Sequence, residues 1–340
     1  MPATIVYQNE ELLPASWKKT VASGDAYVFN PSIARWRDSL LLVYRVVLPD
    51  LRRRIAVCRL DDSLGVVHGS VVALSDSLDG AGDWHADPKF CVYGDRLLVH
   101  FNSGMPAHGP NDIFVVELDP ESLHPLGPAR RLVLERRRTI EKNWMLFEHD
   151  ASLYAVYGIS PHVVLRLDFG STGQGGPVDC SRVYQVTWDA SAYARRYGEL
   201  RGGTPPIRHE HLLYTFFHST YPLHRRWRFL SGRLWRHSVP QRTYVAGFYG
   251  FTAAPPFAPV IYTPLPVIRP PSLEWRHRKR LDSGVARFVY PGGAILRDGS
   301  WIVASGVQNE YCCLDSFSHH DLLASATACS IRYEGNEAQG

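Results

Sequence analysis

Four basic side chains and one carboxylate sit in motifs that recur along this chain. Together they could hold an anion beside a proton-transfer group. The basic residues are Arg45, Lys89, Lys142 and His218, and the carboxylate is Asp87. Phosphate recognition needs several donors at once, with Arg acting as a bidentate fork and Lys as a point charge. Arg45 and His218 each close an apolar stretch, 15 residues after Asn30 and 14 after Thr204. That shared phase predicts that both face the same way. Lys142 lies between Glu141 and Asn143, just before Trp144, and reads as part of a polar network. Each basic residue also fits a solvated charge at a strand end. Asp87-Pro88 equally fits an Asx-Pro turn at a strand start.

The elements that would position these residues form a repeat. A short polar or Pro/Gly-bearing motif precedes an apolar stretch, a tight turn and a second apolar stretch, five times over. The copies are Asn30-Pro31-Ser32 with Leu40 to Arg45, Ala86-Asp87-Pro88 with Leu97 to Asn102, and Glu141-Lys142-Asn143 with Leu153 to Ser160. Gly202-Gly203-Thr204-Pro205-Pro206 with Leu212 to His218 and Tyr290-Pro291-Gly292-Gly293 with Trp301 to Asn309 follow. Measured between Asn30, Asp87, Asn143, Thr204 and Pro291, the spacings are 57, 56, 61 and 87 residues. Short strands repeating at such a length predict a β-propeller, in which polar motifs far apart in sequence converge at one end of a central channel.

Strand signals dominate between the motifs. Leu40 to Tyr44 and Leu97 to Phe101 are continuous apolar runs of buried-strand length, and Ile55 to Leu60 and Ile113 to Leu118 read as third strands. Turns are expected at Gly94-Asp95, His149-Asp150 and Asp298-Gly299. One short helix is expected over Ser191 to Leu200. The long fourth interval holds an Arg/Trp-rich segment, 224–237, and a Pro-rich segment, 255–271, both expected as outer strands and loops. The Arg/Trp-rich segment fits a solvated blade edge, a surface for an anionic glycan or sugar nucleotide, or a nucleic-acid surface, in falling order. Residues 276–280 read as exposed loop charge.

The bulk composition narrows the class. The chain has 340 residues, 45% hydrophobic and 21% charged, with a net charge of +4, which suits one large globular core and a mildly basic surface. Apolar runs are too short for a membrane-spanning helix, and the N-terminus lacks the pattern of a signal peptide. The six cysteines show no paired spacing and are expected as reduced thiols in a cytoplasmic protein. His209-Glu210-His211 and His319-His320-Asp321 lack a third ligand at a recognisable spacing, so no metal is expected, and Cys312-Cys313 reads as strand.

At the five motifs the sequence resembles the five-bladed β-propeller glycosidase-like superfamily. That group includes the β-mannoside phosphorylases of glycoside hydrolase family 130, and the mannosyltransferases of glycosyltransferase family 108 share its architecture. Its members carry Asn-Pro in blade one, Glu-Asp-Pro-Arg in blade two and a Glu-Lys-Asn type motif in blade three. Gly-x-Pro-Pro with a downstream His follows in blade four, then Phe-Pro-x-Gly and an Asp-bearing strand end in blade five. The matches here are Asn30-Pro31, Asp87-Pro88, Glu141-Lys142-Asn143, Gly203-Thr204-Pro205-Pro206 with His218, and Tyr290-Pro291-Gly292-Gly293. They extend over residues 25–325. The chain departs from the pattern at Ala86, where the family has Glu, at Lys89, where it has Arg, and at Gly306 to Glu310, which lacks the Asp.

The resemblance implies a carbohydrate-active enzyme that transfers a glycosyl group with inversion. Asp87 would be the general acid, protonating the glycosidic oxygen by way of a sugar hydroxyl while phosphate attacks the opposite face. In a synthetic transferase the same carboxylate would act as base on an acceptor hydroxyl. Arg45, Lys89, Lys142 and His218 would bind phosphate or a nucleotide. Asn30, Asn102, Asn143, Asn309 and Thr204 would meet sugar hydroxyls, since amides both donate and accept. Trp144, Tyr249 and Tyr290 would stack on a sugar face, although aromatics in strands are more often core. The Gly202-Gly203 pair is expected to let the backbone approach the ligand.

The resulting expectation is an all-β, single five-bladed propeller over residues 1–334 with an axial pocket, followed by a disordered tail, 335–340. A β-mannoside phosphorylase, taking a glycoside and inorganic phosphate to a sugar 1-phosphate without a cofactor, is the leading function. A glycosyltransferase using a sugar nucleotide or sugar phosphate, a glycoside hydrolase and a non-catalytic glycan-binding propeller follow. The partners are a carbohydrate with phosphate or a sugar nucleotide, and not nucleic acid. The sequence leaves the oligomeric state open.

Overall fold

The computed structural model describes residues 4–19, 21, 26–103, 111–169, 175–222, 242–271 and 285–332. The Arg/Trp-rich segment 224–237, the loop charge at 276–280 and the tail 335–340 lie outside the described residues.

The chain is predominantly β. A short N-terminal strand, β1 (Thr4–Val6), precedes a meander of β2 (Tyr27–Trp36), β3 (Ser39–Val47) and β4 (Arg53–Leu60). A second meander holds β5 (Ala86–Tyr93), β6 (Arg96–Asn102), β7 (Ile113–Leu118) and β8 (Arg130–Leu134). A third holds β9 (Met145–His149), β10 (Ser152–Ile159), β11 (His162–Asp168) and β12 (Val178–Trp188). These two join edge to edge through a parallel pairing of β8 with β12, giving one continuous sheet. The fourth sheet contains β13 (Ile207–His209), β14 (Leu212–Pro222), β15 (Arg242–Thr252) and β16 (Pro259–Tyr262), with β17 (Val285–Arg287) alongside β15. The last contains β18 (Val289–Arg297), β19 (Ser300–Val307) and β20 (Tyr311–Ser318), and β1 pairs antiparallel with β20 to complete it.

The expected strand runs fall inside β3, β4, β6 and β7, where near-continuous apolar sequence matches burial on both faces. The expected helix is shorter, Ser191–Tyr197. It stops at Gly198, which takes φ +85° and donates its N–H to the Ala194 carbonyl.

Apolar side chains gather between sheets rather than within them. Separate buried cores lie between the last and first sheets (Leu42, Leu314), the first and second (Val57, Val99) and the second and third meanders (Leu98, Leu165). Two more lie between the third meander and the fourth sheet (Val156, Phe251) and between the fourth sheet and the last (Phe216, Trp301). Each sheet therefore buries both faces against a neighbour. A cavity of about 390 Å³ is lined from five segments together, by Ile33 on β2, Phe90 on β5, Leu146 on β9, Pro206 before β13 and Ala294 on β18.

The repeat markers coincide with breaks in the ladders. Pairing shifts register between Phe29 and Ser32 in β2, between Ala86 and Lys89 in β5 and between Pro291 and Gly293 in β18. Proline lacks a donor for the ladder, and the bulges in β2 and β5 take Pro31 and Pro88 out of it; in β18 Pro291 stays opposite Ser305 and Gly292 is the extra residue. Asn30, Asp87 and Asn143 take φ of +53°, +52° and +63°. Asn and Asp enter that left-handed region at lower cost than other residues with a Cβ, which accounts for their identity there.

Candidate active site

The bulges of β2 and β5 carry Asn30 and Asp87 into one polar cluster. The Asn30 amide donates to Asp87 Oδ1 at 2.6 Å and the Asn102 amide to Oδ2 at 3.4 Å. Arg45 Nη1 stands 3.2 Å from Asp87 Oδ1, and its guanidinium covers the Phe29 ring at 4.1 Å. Asp87 keeps 20% of its side-chain surface open, while Arg45 is buried.

The charge state of Asp87 follows from this setting. Burial alone would raise its carboxyl, but the Arg45 guanidinium, the Asn30 amide and the charges of Arg53 and Lys89 outweigh that and hold it at about 2. Asp87 is therefore a carboxylate at neutral pH. Burial lowers Arg45 to about 10, with Asp87 working in the opposite direction.

Lys89 lies on the same strand as Asp87 and is 2% exposed. Its ammonium donates to the Trp144 carbonyl at 3.3 Å and stands 5.7 Å from the centre of the Tyr290 ring. Burial brings it down to about 7, against the pull of Asp87. His100, opposite Lys89 on β6, donates from Nε2 to the same carbonyl at 3.1 Å. Burial and then Lys89 lower that histidine to about 3.

His218 on β14 is buried, and its Nδ1 donates to the Gly202 carbonyl at 3.0 Å. Burial first, then Lys89, Arg201 and Lys142, lower it to about 3. It is neutral at physiological pH, so it brings a neutral ring to the cluster and no charge to an anion. Its ring meets that of Tyr290 edge-on at 4.9 Å, and the Tyr290 hydroxyl donates to Asn143 Oδ1 at 3.4 Å. Lys142 is more open. Desolvation still lowers its ammonium, Asp87 raises it, and Arg201, Arg242 and Arg53 lower it further.

The cluster thus unites Asp87, Asn30, Asn102, Arg45, Lys89, Lys142, Asn143, His218 and Tyr290. Three expected sugar contacts, Trp144, Tyr249 and Thr204, go elsewhere. Trp144 is 2% exposed, with its indole N–H donating to Glu141 at 2.9 Å and its ring edge-on to Tyr157, so its faces are spent on packing and its carbonyl alone serves the cluster. Tyr249 is fully buried against His162 and Phe251. The Thr204 hydroxyl accepts from the Phe216 N–H and bonds with the Thr215 hydroxyl. Asn309 shares the turn after β19 with Gln308, both at positive φ.

Glu141 is a buried brace. It accepts from Trp144, from the Tyr157 hydroxyl and from the Arg138 N–H. The Gly202-Gly203 pair accommodates protein rather than ligand: a Cβ on Gly202 would lie 1.9 Å from the Asn143 carbonyl oxygen, and one on Gly203 would lie 2.2 Å from that of Phe216.

Arg53 was missed in the sequence, although the run Arg52-Arg53-Arg54 carries it. Arg45 pairs with Ile55 and Val47 with Arg53, so Arg45 and Arg53 share one face of the sheet two positions apart. Of the other constellations, His209-Glu210-His211 is a strand end and turn, and His209 packs against His319 at 4.8 Å. Among the described residues no group of three or more His, Cys, Asp or Glu side chains could hold a metal ion. Cys312 and Cys313 are buried strand residues, and all six cysteines are free. No described helix is long and apolar enough to cross a membrane.

No family model matches this chain, and no curated protein does. Solved structures do match. The β-1,2-mannobiose phosphorylase from Listeria innocua, in complex with β-1,2-mannobiose, aligns with a TM-score of 0.58 at 13% identity, over 95% of this chain and 98% of that one. A glycosyl hydrolase from Bacteroides ovatus aligns at 0.55 and 11% identity, over 91% and 87% of the two chains. A third structure aligns at 0.54 and 13% identity over 86% and 85%; it is described with the finding that the GH130 family of mannoside phosphorylases contains glycoside hydrolases that target β-1,2 mannosidic linkages in Candida mannan. At these identities the chain shares the fold of mannoside phosphorylases and related glycoside hydrolases.

Proposed function

We propose that this protein is a carbohydrate-active enzyme that transfers a glycosyl group with inversion, as a β-mannoside phosphorylase. The observation that carries the reading is a carboxylate at Asp87 set among Arg45, Arg53, Lys89 and Lys142. A phosphate would sit among those cations and attack the anomeric carbon. The glycosidic C–O bond would break, and the proton taken by the leaving oxygen would come from Asp87 through a sugar hydroxyl. No second carboxylate is required, because phosphate is the nucleophile.

The low value of Asp87 bears on direction. Free of ligand, it holds no proton to give. An anion bound among the same cations offsets their field and raises the carboxyl, so phosphate binding arms the acid. In synthesis Asp87 starts as a base and removes the proton of the acceptor hydroxyl. Arg45, Lys89 and Lys142 are assigned to the anion, Asn143 and Tyr290 to the sugar, and Asn30 and Asn102 to positioning Asp87. His218 contributes a neutral ring to the wall.

The architecture proposed with this function is a single five-bladed propeller spanning residues 1–334. It is supported by the five inter-sheet cores, by the cavity lined from five inner segments and by β1 completing the last sheet.

The test is chromatography of products from β-1,2-mannobiose with and without phosphate, and from α-mannose 1-phosphate with mannose. Phosphate-dependent sugar 1-phosphate, or phosphate release in the reverse direction, establishes the phosphorylase. Free mannose formed equally without phosphate makes it a hydrolase, and turnover with a nucleotide sugar alone a transferase. Binding without turnover in every arm leaves a glycan-binding module and overturns the enzyme.

A further inference from the structure

Beside the Asp87 cluster lies a second cavity of about 600 Å³. It opens between the segments around Arg138 and Gly202, next to β10 and β12. Four cationic side chains, Arg138, Lys142, Arg182 and Arg201, line it against one carboxylate, Glu199. The balance within its walls is therefore +3 (four minus one).

These charges are not neutralised locally. Among the described residues neither Arg138 nor Arg182 has a carboxylate within ion-pair distance. Both guanidinium groups instead stand over the buried Tyr157 ring, at 4.6 Å and 5.3 Å. That ring is itself fixed, because its hydroxyl donates to the buried Glu141. Arg182 also donates to the Arg136 carbonyl at 3.2 Å. Two arginines are thus pre-positioned on one aromatic anchor with hydrogen-bonding edges remaining, an arrangement that lowers the ordering cost of gripping an anion. The remaining pair, Arg201 with Glu199, is loose at 3.7 Å, and its carboxylate is 84% exposed, so it offers little competition.

The cavity is contiguous with the cluster. Lys142 and Asn143 line it, while Lys142 feels the charge of Asp87 and Asn143 accepts from Tyr290. Gly202 lines it too, and its carbonyl holds His218. A volume of this size suits a sugar or disaccharide with a charged substituent.

We infer that this cavity binds the second substrate of the transfer, and that this substrate is a phosphate-bearing carbohydrate. Resting on the reading of Asp87 as the reacting centre, this adds a separate anion site beyond it: Arg138 and Arg182 grip the phosphate, and Asn143 holds the sugar end toward Asp87. The phosphate could be a monoester on a sugar or the diphosphate of a nucleotide sugar, since both present the same oxygens to the two forks.

The test is calorimetric titration of the full chain with mannose 6-phosphate, GDP-mannose and plain mannose, for the wild type, Arg138→Gln, Arg182→Gln and Lys89→Met. Wild type should bind at least one phosphorylated ligand tenfold or more tightly than mannose, and added salt should weaken that binding. Each arginine variant should lose most of that preference, with mannose binding and melting temperature retained. Lys89→Met, which removes a cation of the Asp87 cluster, should keep the preference. Tighter mannose 6-phosphate identifies a monoester, and tighter GDP-mannose a diphosphate. Equal binding of mannose and both phosphorylated ligands overturns the inference. So does a preference that survives in both arginine variants, or one that Lys89→Met abolishes, which would place the phosphate in the Asp87 cluster. If either variant fails to fold, Arg138→Lys and Arg182→Lys, which keep the charge and lose the fork, take their place. The two readings fail separately: a preference without turnover sinks the enzyme and keeps the site, while phosphorolysis without a preference does the reverse.

Discussion

Asn30 and Asp87 lie 57 residues apart, occupy equivalent bulges at φ +53° and +52°, and are joined by an amide-to-carboxylate hydrogen bond of 2.6 Å. Two successive copies of the repeat thus meet through their marker residues. Left-handed backbone at a residue other than glycine costs on the order of 1 kcal/mol. The strain is held by the ladders on either side, and it aims both side chains at one point.

This relationship separates backbone from chemistry. Asn30→Gly keeps the left-handed backbone accessible and removes the donor. We expect kcat to fall about 10- to 100-fold with the melting temperature little changed, because Asp87 loses its orientation. Asp87→Asn should lower kcat by about 10²–10⁴-fold and leave phosphate affinity intact or improved. Full activity in Asp87→Asn would remove the residue from the mechanism.

Lys89 gives anion binding a distinctive pH dependence. Its value near 7 means that its charge is lost as pH rises through that point. Sulfate, whose charge is constant there, should bind more weakly with rising pH, by up to about tenfold per unit. Stability should move the opposite way. The folded value lies below the unfolded one, so between about 7 and 10.5 the unfolded chain binds more protons, and the contribution of Lys89 to stability improves across that window. Lys89→Met should flatten both trends. A sulfate affinity independent of pH in the wild type would exclude Lys89 from the anion site.

Gly202→Ala tests the close approach of two inner segments. Its Cβ would lie 1.9 Å from the Asn143 carbonyl oxygen, which is backbone and cannot swing aside. Overpacking of this kind costs about 1–3 kcal/mol or more, and the displaced Asn143 should reduce activity as well. Thermal denaturation with parallel kinetics reads both. An unchanged melting temperature would show that the segments can separate.

Asp315 reports on closure by β1. It pairs with Thr4 across the β1–β20 register, and Thr4 Oγ1 donates to its carboxylate at 2.7 Å. Burial raises its pKa, only partly opposed by that bond. For a carboxyl raised on folding, the favourable term is present at low pH and is lost as pH rises through the folded value. Asp315→Asn should therefore raise the melting temperature at pH 7 and leave it nearly unchanged at pH 3. Destabilisation at pH 7 would mean that the charge itself holds β1 in place.

Much of the frame was legible in the sequence, because strands and turns answer to near neighbours. The runs at Leu40 to Tyr44 and Leu97 to Phe101 are strands since they are apolar on both faces, and Asp298-Gly299 turns since both residues accept positive φ. Asn30-Pro31 and Asp87-Pro88 stood out as polar motifs, but Asp87-Pro88 read as a turn at a strand start, and the structure makes both motifs bulges within strands because proline cannot serve the ladder. What the sequence alone could not decide was where each polar or aromatic side chain ends up. Trp144 and Tyr249 turned into cores, Thr204 bonded to its own hairpin, and Gly202 served a neighbouring carbonyl, each through contacts with distant segments. The field at Asp87 sums charges drawn from Arg45, Arg53, Lys89 and Lys142, spread over two meanders and the approach to a third. Charges so far apart along the chain act together only once folding has brought their segments to one place, so both the ionisation of that carboxylate and the basic cavity beside it are properties of the tertiary structure.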